Sequence, residues 1–174
     1  INAVRDSPMK LAYLVEPLGP EHTSQEIMDV LSVALDNNAF LCGSMARVNI
    51  ANTPFESSKE VDEDRLAQVV AVTRIAGGIN MPEICVHPPS EKALRYGANV
   101  MVVEKGAIPR SETECCDDWK GFRIEDAKKI RTVLNRYGFT VAAVCNSGAN
   151  ALASISELDG GVLLCGYHLQ DMYY

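Results

Sequence analysis

The sequence lacks several features that identify common classes of protein. It has no Gly-x-Gly-x-x-Gly turn opening a helix and no phosphate-loop signature, which disfavours a doubly wound nucleotide-binding domain. No apolar run approaches the roughly 20 residues that a membrane-spanning helix needs. Basic residues are outnumbered, 16 Lys and Arg against 23 Asp and Glu, and the net charge is -7. That charge disfavours a nucleic-acid or anionic-membrane surface, because phosphates would be repelled.

The cysteines also lack the spacing of a common metal site. There are 6 of them, widely spread, and no Cys-x-x-Cys pair occurs. Buried or free thiols in a reducing cytosol are the favoured interpretation, which predicts a cytoplasmic protein, and disulfides are the alternative. Adjacent Cys115 and Cys116 could bind a soft metal, but two thiols without a nearby His make a weak signal.

The sequence does contain enough apolar residues for one domain with a substantial core, since 47% of its 174 residues are hydrophobic. Strand-like and helix-like segments alternate, which predicts parallel βαβ units and an α/β fold, a barrel or part-barrel. The predicted strands are the run ending at Val15 and the segments 44–50, 83–87, 99–104, 139–145 and 161–165. The predicted helices begin near Thr23, Asp62, Ser90, Ile124 and Ser147.

One loop between a strand and a helix concentrates polar residues. Thr23 and Glu26 form a capping box, so a helix begins there, and Pro17 predicts that the preceding strand has already ended. Glu16, Glu21 and His22 are therefore expected between the carboxyl end of a strand and the start of a helix. In parallel α/β proteins ligands bind at that edge of the sheet.

The ends of the other predicted strands add further candidates. These are Arg47, Asn49, Cys85, His87, Glu104 and Arg110. Several have a structural alternative: Glu21 could simply favour the positive end of a helix, and Arg47 could form an ion pair between strands. Cys85 and His87 share one strand face, so they could bind a metal, although a buried thiol beside a hydrogen-bonded imidazole is more common. Glu104 follows four apolar residues and would need a partner or a ligand.

Beyond these residue-level arguments, several segments resemble radical S-adenosylmethionine enzymes of the biotin-synthase type. These are Val15-Glu-Pro-Leu-Gly-Pro-Glu-His-Thr-Ser-Gln-Glu26, Met45-Ala-Arg-Val-Asn-Ile-Ala-Asn-Thr-Pro54, Leu66-Ala-Gln-Val-Val-Ala-Val-Thr-Arg-Ile75 and Tyr96-Gly-Ala-Asn-Val-Met-Val-Val-Glu104. Together with Val103-Glu-Lys-Gly-Ala-Ile-Pro-Arg110, the first segment is most similar to the radical enzymes assigned to the iron-guanylylpyridinol cofactor of methanogen [Fe]-hydrogenase.

The resemblance implies a partial (β/α) barrel, the C-terminal half of a complete one. Residues 1–140 would form this half, and 141–174 an extension of unknown role. The three-cysteine motif that holds the family's [4Fe–4S] cluster is absent from this sequence. We therefore expect an N-terminal half of the same enzyme, or a second copy, as a partner. The complete enzyme would use S-adenosylmethionine and a [4Fe–4S] cluster on a small-molecule substrate.

The resemblance also implies roles for individual positions. The cofactor-binding residues would be Glu16, Gly19, Glu21, Arg47, Val48, Asn49 and Ile50, and the catalytic residues would be Cys85, His87 and Glu104. Two alternatives stay open: another enzyme of the biotin-synthase type, such as an amino-acid mutase or a hydrogenase maturase, and a non-catalytic assembly or scaffold protein.

Overall fold

The structure is a computed structural model that describes residues 1–49, 52–81, 83–103, 127–139 and 163–165. These residues form an alternating series of helices and strands, and a short 3-10 turn at Gly78–Asn80. In chain order the elements are α1 Asn2–Arg5, β1 Val15–Leu18, α2 Ser24–Asp36, β2 Leu41–Ala46, α3 Glu63–Gly77, β3 Glu83–His87, α4 Glu91–Arg95, β4 Val100–Val103, α5 Ala127–Arg136 and β5 Leu163–Cys165.

The strands form a single parallel sheet in which each strand lies next to its neighbour in sequence. The order is β1-β2-β3-β4-β5, and every adjacent pair is parallel. Parallel neighbours require a crossover, and α2, α3 and α4 supply the first three. The α/β class that the alternating pattern predicted is therefore confirmed.

The helix starts follow the capping signals in the sequence. The Thr23 side chain accepts the backbone N–H of Glu26 at 3.2 Å, and the Glu26 carboxylate accepts the backbone N–H of Thr23 at 2.7 Å. Asp62 and Ser90 cap α3 and α4 in the same way with their side-chain oxygens. These bonds satisfy backbone donors that have no partner within the helix, and the predicted starts at Thr23, Asp62 and Ser90 are confirmed.

Strands β1 and β2 differ in their boundaries from the prediction. Strand β1 runs through Pro17 to Leu18 instead of ending before it, which places Glu16 in the strand rather than in the following loop. Within the described sheet β1 is an edge strand, and an edge strand tolerates proline because only one of its sides must pair. Strand β2 spans Leu41–Ala46, so Arg47 and Asn49 follow the strand instead of lying in it.

The main core lies between the sheet and its helices. Its central strand residues are Val15, Leu18, Cys42, Ala46, Ile84, Val86 and Met101, and its helix residues include Ile27, Leu31, Leu66, Val69 and Val70. Alternation sends the intervening strand residues to the opposite face. There Leu41, Cys85 and Val100 form a second, smaller buried cluster, with Leu14 packed against it.

A polar clamp joins elements at the amino ends of β3 and β4. The Arg74 guanidinium of α3 donates to the carbonyls of Gly97 at 3.0 Å and Met81 at 2.8 Å. The Asn99 side chain accepts the backbone N–H of Ile84 at 2.7 Å. Arg74 and Asn99 belong to two of the segments that carry the family resemblance. Because they lie away from the carboxyl edge, these two residues stabilise the fold.

Some predictions fall outside the described residues. These are Ile50, Glu104, Arg110, Cys115 and Cys116, the start of the helix predicted near Ile124, the strand 139–145 after residue 139, and the helix predicted to begin near Ser147. Among the helices that the structure describes, none has the length and apolarity to cross a membrane.

Candidate functional site

The face of the sheet opposite the helices carries His87 near the carboxyl ends of the strands and Cys85 one step below it. The register pairs Met45 with His87 and, one step lower on the same face, Gly43 with Cys85. His87 is buried, with 4% of its surface exposed, and Met45 is half-buried. The predicted pairing of Cys85 and His87 on one strand face is thus confirmed.

Glu16 lies on this face close to Cys85. Glu16 is exposed. The pKa of the Cys85 thiol is raised mainly because the thiol is buried, and the nearby Cys42 and then Glu16 raise it further. A thiol whose pKa is raised in this way stays protonated at neutral pH, so the surroundings of Cys85 do not activate it as a nucleophile. Within the described ranges no group of three or more His, Cys, Asp or Glu residues could hold a metal.

A second polar centre ties the loop after β1 to the loop after β2. The Arg47 side chain is 8% exposed and forms a bidentate ion pair with Glu21, in which Nη1 binds Oε1 and Nη2 donates to Oε2 at 3.2 Å. Nη2 also donates to the Lys59 carbonyl at 3.1 Å. These bonds hold three segments of chain together at the carboxyl edge of the sheet.

The ion pair packs directly against Gly19, so a side chain at this position would displace the ends of the Glu21 and Arg47 side chains. A Cβ atom built on Gly19 would lie 2.5 Å from Oε1 of Glu21, and equally close to the guanidinium of Arg47. The Gly19 backbone N–H also donates to Nδ1 of His22 at 2.9 Å, and the His22 backbone N–H donates to the Gly19 carbonyl at 3.2 Å. Gly19 and His22 therefore shape the loop, and Glu21 and Arg47 lock it against the next strand.

The loop after β2 is closed by Asn49. Its backbone N–H donates to the Glu60 carboxylate at 2.7 Å, and its side-chain amide donates to the carbonyl of Ser58. Val48 is half-buried beside it. Asn49, which was predicted to bind the cofactor, thus makes its described hydrogen bonds within its own loop.

Phe55 is the residue of this centre that the sequence analysis did not select. Its ring lies over the Arg47 guanidinium, with Cζ 4.5 Å from the ring centroid, yet 50% of the side chain remains exposed. The sequence signal that could have identified Phe55 is a single aromatic residue in a polar, proline-containing loop, in a chain with only 6% aromatic residues. The ring covers one face of the Arg47 guanidinium.

The pKa of Glu21 gives a testable consequence of the ion pair. Hydrogen bonding from Arg47 is the largest of the effects that hold this pKa below its ordinary value of 4.5. A carboxyl whose pKa is lower in the folded than in the unfolded state stabilises the fold above its unfolded pKa, and this stabilisation is lost as pH falls through the folded pKa.

We therefore expect Glu21→Gln to reduce the loss of stability as pH falls below about 4.5, as measured by urea denaturation across the acid range. The control is Asp29→Asn, which changes a surface carboxylate whose Oδ1 accepts a bond from Gln25 on α2. Superimposable stability–pH curves for the wild type and Glu21→Gln would contradict the expectation.

The structure therefore brings the sequence-predicted residues together in two groups. Glu16, Cys85 and His87 share the face of the sheet opposite the helices, and Gly19, Glu21, Arg47 and Asn49 form the neighbouring loop centre. Comparison with protein-family models found no match to this sequence, and comparison with curated proteins found no significant relative.

Proposed function

We propose that the chain is the C-terminal half of a radical S-adenosylmethionine enzyme with a (β/α) barrel fold, acting in biosynthesis of the iron-guanylylpyridinol cofactor of [Fe]-hydrogenase. The observation that carries the barrel is the strand order, in which each parallel strand is added beside the previous one without a reversal. A doubly wound sheet reverses its order at a switch point, whereas a β/α barrel does not.

The placement of the similar segments supports the same proposal. The similar segments coincide with β1 and the loop after it, with the end of β2, with α3 and with β4. They therefore follow one another along a single series of alternating strands and helices. No described strand pairs with the outer side of β1. That open edge is where the strands of an N-terminal half, or of a second copy, would add to the sheet.

The residues at the carboxyl edge fit the binding of S-adenosylmethionine. Glu16 offers an exposed carboxylate on the inner face, which can accept hydrogen bonds from the amino group or hydroxyls of the ligand. Arg47 and Glu21 bind each other, and they position the loop that carries Gly19. When bound, S-adenosylmethionine would supply the radical chemistry.

The [4Fe–4S] cluster does not fit this chain. None of the 6 cysteines has the three-cysteine spacing, and the described Cys42 and Cys85 lie on opposite faces of the sheet, where both have raised pKa values because they are buried. In this proposal the ligands of the cluster come from the upstream half. A Cys-x-x-x-Cys-x-x-Cys motif in the upstream coding sequence would support the enzyme, and a start codon directly before Ile1 would favour the scaffold alternative.

Substitution of Glu16 tests the proposed binding site. In the enzyme containing both halves, Glu16→Gln is expected to weaken binding of S-adenosylmethionine by about 1.5–3 kcal/mol, because a charge-assisted hydrogen bond is lost. The melting temperature should change little, since the side chain is exposed. Calorimetry measures the affinity, with Asp29→Asn as the control. Unchanged affinity together with a lowered melting temperature would make Glu16 a structural residue.

A further inference from the structure

The imidazole of His22 faces both the donor and the acceptor of one glycine residue. Its Nδ1 atom lies 2.9 Å from the backbone nitrogen of Gly19 and 3.1 Å from the carbonyl oxygen of the same residue. A neutral ring with its proton on Nε2 accepts the Gly19 N–H at Nδ1, whereas a ring protonated at Nδ1 can only donate there. The two contacts therefore exclude each other.

The backbone N–H of Gly19 decides which of the two contacts a neutral ring makes. Gly19 is buried, and among the described residues the acceptor that this N–H finds is Nδ1 of His22. A buried N–H without an acceptor is unfavourable, while the Gly19 carbonyl already accepts the His22 backbone N–H at 3.2 Å. The neutral ring therefore holds its proton on Nε2 and leaves Nδ1 to accept.

The neighbouring loop holds the other end of the same peptide unit. The Leu18 carbonyl, which shares a peptide plane with the Gly19 N–H, accepts the backbone N–H of Arg47 at 2.8 Å. This peptide links the His22 ring to Arg47, whose guanidinium binds Glu21. Because the peptide is planar, loss of the bond at Gly19 frees the whole plane to rotate and weakens the bond to Arg47.

The charged groups around His22 lie on three segments of the described chain. Oε1 of Glu21 is 3.9 Å from Nδ1, Glu26 on α2 interacts with the ring electrostatically, and Arg47 of the loop after β2 binds Glu21. The pKa values of both carboxyl groups lie below 4.5, mainly because Arg47 binds Glu21 and Thr23 binds Glu26, so both stay ionised near neutral pH. Histidine is the side chain that ordinarily changes charge there, and an imidazolium would compete with Arg47 for Glu21.

We propose that His22 is a pH-dependent latch on the loop after β1. With a neutral ring the latch is closed, because Nδ1 holds the Gly19 N–H and the loop presents Glu21 to Arg47. When Nδ1 takes a proton from solvent, it donates to the Gly19 carbonyl and attracts the Glu21 carboxylate, so the Gly19 N–H is released and the ion pair loosens. The inference does not depend on the proposed function, because it uses only contacts within the chain.

Ala93 provides a matched control amide for the test. Its backbone N–H donates to the Ser90 side chain at 3.0 Å, across the same spacing of three residues, and both Ala93 and Gly19 are buried. A hydroxyl acceptor keeps its charge near neutral pH, whereas an imidazole does not. The two amides thus share their type of hydrogen bond and differ in whether the acceptor titrates.

The experiment is nuclear magnetic resonance of the nitrogen-labelled 174-residue chain between about pH 8 and pH 5. The ring nitrogens of His22 report its tautomer and charge, and solvent exchange reports the protection of each amide. After correction for intrinsic exchange, protection of the Gly19 amide should fall about tenfold as His22 becomes charged, because one hydrogen bond is lost. The Arg47 amide shift should move with the same midpoint, and Ala93 should keep its protection.

Two variants separate the latch from a general loosening at low pH. His22→Asn offers an acceptor oxygen that does not titrate, so Gly19 should stay protected throughout, and His22→Ala should leave it unprotected at every pH. The wild-type titration decides the matter even where a variant folds poorly. The latch would be overturned by a neutral ring with its proton on Nδ1, by a ring that keeps one charge throughout, or by Gly19 protection that ignores the charge on His22. An equal fall of protection in His22→Asn would overturn it as well.

Discussion

Replacing Gly43 with alanine is expected to destabilise the protein by about 3 to 5 kcal/mol, because two costs add. Gly43 has φ +141°, which side-chain-bearing residues rarely adopt. A Cβ atom there would lie 2.7 Å from the backbone nitrogen and 2.8 Å from the carbonyl carbon of Cys85, and closer still to the carbonyl oxygen. Backbone in a paired strand cannot move aside, so β2 and β3 would separate.

The matched control for this substitution is Gly78→Ala. Gly78 also has a positive φ, +50°, but a Cβ atom built there meets nothing within 4 Å. It should lose about 1 to 2 kcal/mol, the cost of the backbone conformation alone. Urea denaturation followed by circular dichroism measures both. Equal losses for the two variants would show that the close approach of β2 and β3 at Gly43 does not exist.

Replacing Arg47 with methionine is expected to cost roughly 2 to 3 kcal/mol of folding free energy. The substitution keeps apolar length but removes a buried cation, which leaves the Lys59 carbonyl and the Glu21 carboxylate without this donor. It also removes the cation beneath the Phe55 ring. The partly exposed position of Glu21 keeps the loss below that of a fully buried ion pair.

The control for Arg47 is Arg65→Met on helix α3. The Arg65 guanidinium donates to the Gln68 side chain at the surface, so its loss should stay within about 0.5 kcal/mol. Chemical denaturation of both variants under the same buffer gives the comparison. If Arg47→Met were as stable as Arg65→Met, the two loops would not be held together by this ion pair.

Local signals predicted most of the helical framework. Thr23 with Glu26, Asp62 and Ser90 each begin a helix as expected, because capping depends on residues three positions apart. Segment 83–87 was likewise predicted with its observed boundaries. These features follow from contacts within a few residues of chain, which the sequence displays directly.

The features that failed or were missed depend on contacts between distant segments. Pro17 predicted the end of a strand, but β1 continues through it because only one side of that strand is paired among the described residues. The predicted strand 44–50 begins after Gly43, yet Gly43 lies inside β2, where the close approach of the Cys85 backbone leaves no room for a side chain. The Arg47–Glu21 pair joins residues 26 positions apart. Its partners were both selected as candidates, but spacing alone could not show that they bind each other.

We propose that this chain belongs to an enzyme that cleaves S-adenosylmethionine. The most direct test uses the protein that contains both halves, after its iron–sulfur cluster has been reconstituted. This protein is incubated anaerobically with S-adenosylmethionine and a one-electron reductant. We predict formation of 5′-deoxyadenosine, reduced in the Glu16→Gln variant at subsaturating S-adenosylmethionine. The assay is repeated with a cell extract added as a source of the substrate. If the protein holds its cluster and still forms no 5′-deoxyadenosine, that result would contradict the proposal.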